Sequence, residues 1–191
     1  MVAPQAPDAL AIPACRIRGI SLARMILNQQ RRVRVSISGL EKFLAAARKR
    51  LRLAARSLTV ALVTDAQIRR WNRAYRGKNR PTDVLSFPAD DSQAEPATTR
   101  KHRQPRRAHA SRVAAATTAS PSGAVPEYLG DIAIAPAVAR RNALRFGRAF
   151  DHEMRILILH GMLHLLGYDH ETDSGEMDRR ENRLRRDLGL L

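Results

Sequence analysis

The stretch that most limits what this chain can fold into is residues 156–170, Ile-Leu-Ile-Leu-His160-Gly-Met-Leu-His164-Leu-Leu-Gly167-Tyr-Asp-His170. It opens as an almost unbroken apolar run, too short to span a bilayer, and so reads as a buried helix. His160 and His164 stand at i and i+4, which places both imidazoles on one helical face, a turn apart. Gly167 fits a left-handed helix stop, because a residue without Cβ takes positive φ at little cost. The chain can then turn back and bring His170 towards the same point. Three imidazoles converging in this way can hold zinc and leave one coordination position open for water. Leu157, Leu163 and Leu166 would pack around them.

A lone histidine on an apolar helix is ordinarily a satisfied core residue, and a pair at i,i+4 arises by chance. Three histidines with a glycine stop before the third form a far more specific pattern, because His is the commonest metal ligand. A closed structural zinc would need a fourth protein ligand, and the chain's single cysteine, Cys15, sits in a Pro/Ala-rich tail. The open, catalytic geometry is therefore expected. The spacing also matches the metalloprotease pattern H-E-x-x-H-x-x-G-x-x-H, except that Gly161 stands where that pattern places its glutamate base. Peptide hydrolysis would lack its usual base, whereas phosphodiester hydrolysis can lean more on a metal and on nearby cations.

The segment from His160 to His170, H-G-x-L-H-L-x-G-Y-D-H, resembles the signature of the YbeY family, bacterial zinc-dependent endoribonucleases of ribosomal RNA maturation. Two further stretches agree with it in order: Trp71-Asn-Arg-Ala-Tyr-Arg-Gly-Lys-Asn-Arg-Pro-Thr-Asp-Val-Leu-Ser-Phe-Pro88 and Leu129-Gly-Asp-Ile-Ala-Ile134. The resemblance covers roughly residues 33–191, apart from an insertion. It implies a Zn2+-dependent hydrolase with one ion per chain, held by His160, His164 and His170. It implies a role in ribonuclease activity for Arg76. Implied substrates and partners are single-stranded RNA (a precursor of small-subunit ribosomal RNA, matured at its 3′ end), the small ribosomal subunit, the Era GTPase and a small-subunit ribosomal protein. Ribosome quality control and a cytoplasmic location go with them.

Charge points the same way. Lys and Arg total 34 against 18 Asp and Glu, a formal +16, and such a field draws polyanions such as RNA. Aromatic residues are only 4% of the chain, so no broad base-stacking platform is indicated. One cysteine precludes an internal disulfide and suits a reducing compartment. No run of about 18 apolar residues exists, so no membrane span is expected. Residues 1–15 lack the charged-then-apolar order of a secretory signal.

Residues 1–32 read as a largely disordered extension, and 33–191 as the catalytic domain. Val33–Ile37 alternates β-branched and polar residues, as a half-buried strand does. Ser38-Gly-Leu-Glu41 has the form of a capping box opening a helix through Leu40, Phe43, Leu44, Ala47, Leu51 and Ala54. A buried strand over 57–63 follows, then a second capping box, Thr64-Asp-Ala-Gln67, and a helix to about Arg76-Gly77. Strand, helix and strand in that order suggest a parallel crossover. Arg76, Lys78 and Arg80 are the candidates for holding phosphates, since Arg binds two phosphate oxygens through its planar fork. The plainer reading of that trio is a solvated turn.

Strands are expected at 83–87 and 128–134, paired antiparallel. Residues 89–125 between them are rich in Ala, Ser, Thr and Pro and cannot bury enough surface to fold. This basic insertion carries Arg100, Lys101, Arg103, Arg106, Arg107 and Arg112 with no acidic residue from 98 to 125. A helix over 136–146 should place Val138, Ala139, Asn142 and Phe146 on one stripe, with Pro136 in its first turn. The metal helix follows from about Asp151, and His152 lies too far from His160 to be a ligand. Asp173-Ser-Gly-Glu176 resembles a capping box for a last helix docked by Met177, Leu184 and Leu188. The fold class is α+β, a small mixed sheet of about four strands packed with helices. Two rival readings remain open on these residues: a metallopeptidase, and a noncatalytic ribosome-assembly factor stabilised by zinc.

Overall fold

A computed structural model describes residues 25–89, 127–170 and 173–191. In chain order its elements are β1 (Ile26–Asn28), α1 (Ile37–Arg50), β2 (Arg56–Leu62), α2 (Asp65–Arg76), β3 (Val84–Pro88), β4 (Glu127–Ile134), α3 (Pro136–Arg145), α4 (Phe150–Leu165) and α5 (Glu176–Asp187). The strands form one mixed sheet in the order β1-β2-β4-β3. β1 and β4 run parallel to β2, and β3 runs antiparallel to β4 with Ser86 opposite Ile132. This is the expected α+β class, with the expected antiparallel pair. The basic insertion and most of the amino-terminal extension lie outside the described residues.

The first strand is not where the alternation of Val33–Ile37 placed it. Ile26–Asn28 pairs with Val60–Leu62, so the sheet begins inside the segment read as an extension. Val33 is satisfied otherwise: the buried Gln30 side chain accepts from the Val33 amide and donates to the Val33 carbonyl, both at 2.9 Å. A glutamine amide thus takes the place of a neighbouring strand, and the β-like sequence needs no sheet partner. The parallel crossover is present, but it starts from β1. The capping box at Ser38 is not formed either. α1 begins at Ile37, its cap residue Ser36 makes no side-chain cap bond, and Leu40 already bonds the Ser36 carbonyl at 3.1 Å. The box at Thr64 does form its cap: the Thr64 hydroxyl accepts from the Gln67 amide at 3.3 Å, and Gly77 closes α2 at φ 68°.

Alternation along the strands divides the core. Leu58, Val60, Leu62, Ile132 and Ile134 face the larger cluster with α1, α4 and α5. Leu85 and Ala133 turn the other way and are covered by Ile68 and Trp71 of α2. So α2 lies on one sheet face and α4 on the other. α4 is buried nearly all round, with Ile158, Leu159, Met162 and Leu163 at 1% exposure or less. Each such side chain contributes roughly 1.5–3 kcal/mol of burial, well above the ~0–1 kcal/mol of a surface ion pair. Packing, then, fixes the helix that carries two of the histidines.

α3 keeps its expected stripe through Val138, which packs against the smaller cluster, buried Ala139 and half-buried Asn142, and departs from it at Phe146. Its buried positions include Ala139 and Ala143, small residues that suit close packing against α4. Phe146 is the residue after the last turn, and it is 54% exposed. Asn142 reaches Asp83 Oδ2 at 2.9 Å and so ties α3 to the start of β3.

Candidate metal centre

α4 ends as Gly167 requires. The Tyr168 amide donates to the Leu163 carbonyl at 3.1 Å and the Gly167 amide to the His164 carbonyl at 2.9 Å, with Gly167 at φ 86°. These are the two bonds of a Schellman stop. The reversal sends residues 168–170 back past the last turn. His170 thereby joins His160 and His164, and one ligand atom from each ring lies within 4.8 Å of the other two.

The geometry suits a tetrahedral ion. Two nitrogens bound at about 2.0–2.1 Å to one tetrahedral centre sit roughly 3.3 Å apart, and the Nε2 atoms of His160 and His164 are 3.1 Å apart. The rings meet edge-on, with centroids 4.7 Å apart, and the His170 ring lies 5.5 and 5.4 Å from the two. Burial pushes His164 below the ordinary histidine pKa, and the neighbouring His160 and His170 add to the shift. Such a ring keeps its lone pair for coordination near neutral pH. Three imidazole donors in this geometry fit zinc.

A residue that sequence reasoning missed orients the first of them. Glu181 on α5 is buried, and its Oε2 accepts from His160 Nδ1 at 3.1 Å. Arg185, one turn on, donates to the other oxygen. Burial alone would raise the Glu181 pKa, but the His160 hydrogen bond and the Arg185 charge outweigh it and hold the group below its usual value. The carboxylate therefore stays ionised, fixes the proton of His160 on Nδ1 and turns the Nε2 lone pair towards His164. A signal existed: Met177, Glu181 and Leu184 share the i, i+4, i+7 stripe that docks α5. An acid on an apolar stripe signals a buried partner. Asp173 caps that helix, accepting from the amides of Gly175, Glu176 and Met177.

Gly161 has a steric reason. A Cβ there would come 2.7 Å from Ile132 Cγ2, because α4 lies directly on β4 at this point. Position 161 faces the sheet and not the histidines. A glutamate base of the protease type has no room there, which counts against the metallopeptidase reading. Ser86 of β3 donates to the Gly161 carbonyl at 3.3 Å.

The basic trio is placed separately. Arg76 is exposed on the last turn of α2, and Lys78 and Arg80 are exposed in the loop that leads to the edge strand β3. The loop has an internal anchor. Buried Asn72 donates through Nδ2 to the Arg80 carbonyl at 2.7 Å, and its backbone carbonyl accepts from the Lys78 amide at 3.2 Å. The trio thus lies on the end of α2 and the loop after it, and the histidines on α4 and the segment just past it. His152 bonds the Leu190 carbonyl at 2.9 Å and is, as expected, no part of the cluster. Asp169 lies beside His170 and contributes to the local field at His164, while Glu171 lies outside the described residues.

The family model described as Endoribonuclease YbeY matches residues 25–189. A protein named Endoribonuclease YbeY from Rhodopseudomonas palustris (strain HaA2) is 40% identical over 135 residues, covering 70% of this chain and 58% of the relative. One of the same name from Koribacter versatilis is 36% identical over 167 residues, covering 87% and 86%. The chain thus spans less than two thirds of the Rhodopseudomonas relative and most of the Koribacter one. A solution structure from Thermotoga maritima is similar over 85% of this chain and 87% of its own, at 24% identity and a TM-score of 0.48.

Proposed function

Because the chain belongs to the endoribonuclease YbeY family, we propose that it is a metal-dependent endoribonuclease that cuts single-stranded RNA. The observation that carries this reading is the convergence of His160, His164 and His170 at the stop of α4, with Glu181 behind the first of them. His160, His164 and His170 would hold a zinc ion, which would supply a hydrolytic nucleophile near neutral pH and Lewis acidity towards a phosphoryl oxygen. The chain's own part is preparation. Glu181 fixes one ring's tautomer, burial keeps His164 neutral, and the packed α4 holds both rings in place. Arg76, with Lys78 and Arg80, would bind the phosphates and stabilise charge developing on them.

The expected substrate is precursor ribosomal RNA of the small subunit, matured at its 3′ end. The small ribosomal subunit, the Era GTPase and a small-subunit ribosomal protein are the proposed partners, and the cytoplasm the proposed location. Among the described residues no helix is long and apolar enough to cross a membrane.

Incubating the purified, zinc-loaded full chain with a labelled single-stranded RNA, and with casein in parallel, tests the reading. RNA cleavage that is lost in folded Arg76→Ala and His164→Ala supports it. Casein degradation without RNA cleavage would favour a peptidase. Bound zinc with neither substrate cut, on isolated RNA or on intact small subunits, would leave an assembly factor.

A further inference from the structure

The turn between α3 and α4 carries a surface that the metal centre does not use. Phe146 is 54% exposed and Leu144 78%. The other exposed aromatics have partners: the Tyr75 ring packs edge-on against Phe87 at 5.2 Å, and the Tyr128 hydroxyl bonds Asp131. Around Phe146 the neighbours are guanidinium groups. Arg145 Cζ lies 5.7 Å from the ring centroid and Arg148 Cζ 5.1 Å.

Arg140, Arg141, Arg145 and Arg148 fall within nine residues of one another, and residues 136–150 contain no acid. Two of the four are committed. Arg141 pairs with Asp65 at 3.0 Å, and Arg148 pairs with the buried Glu153 at 3.0 Å. Among the described residues, Arg140 and Arg145 have no acidic partner. The result is an exposed ring with guanidinium groups over it, beside two cations, Arg140 and Arg145, that no acidic side chain pairs among the described residues.

We propose that this turn is a second RNA-contact surface, where Phe146 stacks on a base and Arg140 and Arg145 neutralise flanking phosphates. Charge complementarity favours a polyanion. The ring and guanidinium planes favour one with flat bases over an acidic peptide, because base–aromatic stacking and Arg cation–π contacts act together in single-strand binding. The site is remote from the chemistry. α4 rises about 15 Å between Phe150 and His160, at ~1.5 Å per residue. A stacked strand carries a phosphate about every 3.4 Å, so this corresponds to roughly four nucleotides. The surface would hold a longer strand whose scissile bond lies at the histidines. It rests on the reading of the chain as an enzyme acting on RNA.

The test is binding of the zinc-loaded full chain to a fluorescein-labelled single-stranded RNA, read by stopped flow before cleavage, beside cleavage of the same strand. Phe146 is exposed, so Phe146→Ala should fold, and Phe146→Trp keeps an aromatic face. Arg148 is left alone because its loss would strand the buried Glu153. Phe146→Ala should weaken binding about tenfold, within the range given by one lost base stack, and Phe146→Trp should restore it. Arg145→Gln should weaken binding and lower the salt slope by about one. Binding by Phe146→Ala within twofold of the parent would overturn the inference, as would equal losses in Phe146→Ala and Phe146→Trp. A surface that Phe146→Ala impairs for polyglutamate but not for RNA would also overturn it. Loss of binding in Phe146→Ala when no variant cuts RNA would support this surface and count against the enzymatic reading instead.

Discussion

His160 Nδ1 lies 3.1 Å from Glu181 Oε2, so the first histidine of the cluster is held by a helix that begins after the third. α4, the reversal at Gly167 and α5 therefore act as one unit. The three histidines come from α4 and the segment just past it, and the group that orients one of them comes from α5.

Removing that orientation should be felt in metal affinity before it is felt in folding. Glu181→Gln keeps an acceptor but loses the charge that holds the His160 proton on Nδ1. Zinc affinity, measured by chelator competition, should fall on the order of 10- to 100-fold. An unchanged affinity would mean that Glu181 serves only to dock α5.

The packing of α4 on β4 makes a different prediction. Gly161→Ala puts a Cβ within 2.7 Å of Ile132 Cγ2, and overpacking of this kind costs about 1–3 kcal/mol. Urea denaturation should show that loss, and Ile132→Ala in the same chain should relieve part of it. Gly161→Glu should fail to fold stably and gain no peptidase activity.

Acidity should weaken the metal-free protein. Burial and its two neighbours hold His164 below the reference value of 6.5 in the folded chain, so the unfolded chain binds the proton more readily. The His164 contribution is intact above pH 6.5 and is lost as pH falls from there through the lower folded value. The urea midpoint of the metal-free protein should drop between neutral pH and mildly acidic pH, and less so in His164→Asn. An equal drop in both would assign the effect elsewhere.

Asn72 offers a test of the loop proposed to bind phosphate. Its Nδ2 holds the Arg80 carbonyl at 2.7 Å from a site 2% exposed. Asn72→Ala should cost about 1 kcal/mol of stability and raise KM for RNA more than it lowers kcat. A selective fall in kcat would place Asn72 nearer the chemistry than the loop.

Much of the site could be read from the sequence because it is local. His160 and His164 are spaced by the helical repeat, and Gly167 marks the stop that returns His170, so short-range rules suffice for the convergence. Glu181 escaped because its partner is 21 residues away and α5 is crowded with other charges. The strand at Ile26–Asn28 escaped for a related reason. Three residues next to a basic tail carry no periodicity, and their role comes from pairing with β2. Val33 misled because a glutamine side chain satisfied the backbone that a strand would have.

The most direct test of the central claim, that the three histidines hold the metal that makes this chain a ribonuclease, is reconstitution. The chelator-stripped full chain would be titrated with zinc while cleavage of a single-stranded RNA is followed. Cleavage should rise with added zinc and level off near one equivalent, and folded His164→Ala should stay inactive across the same range. Cleavage that survives stripping, or that His164→Ala performs as well as the parent, would contradict the account.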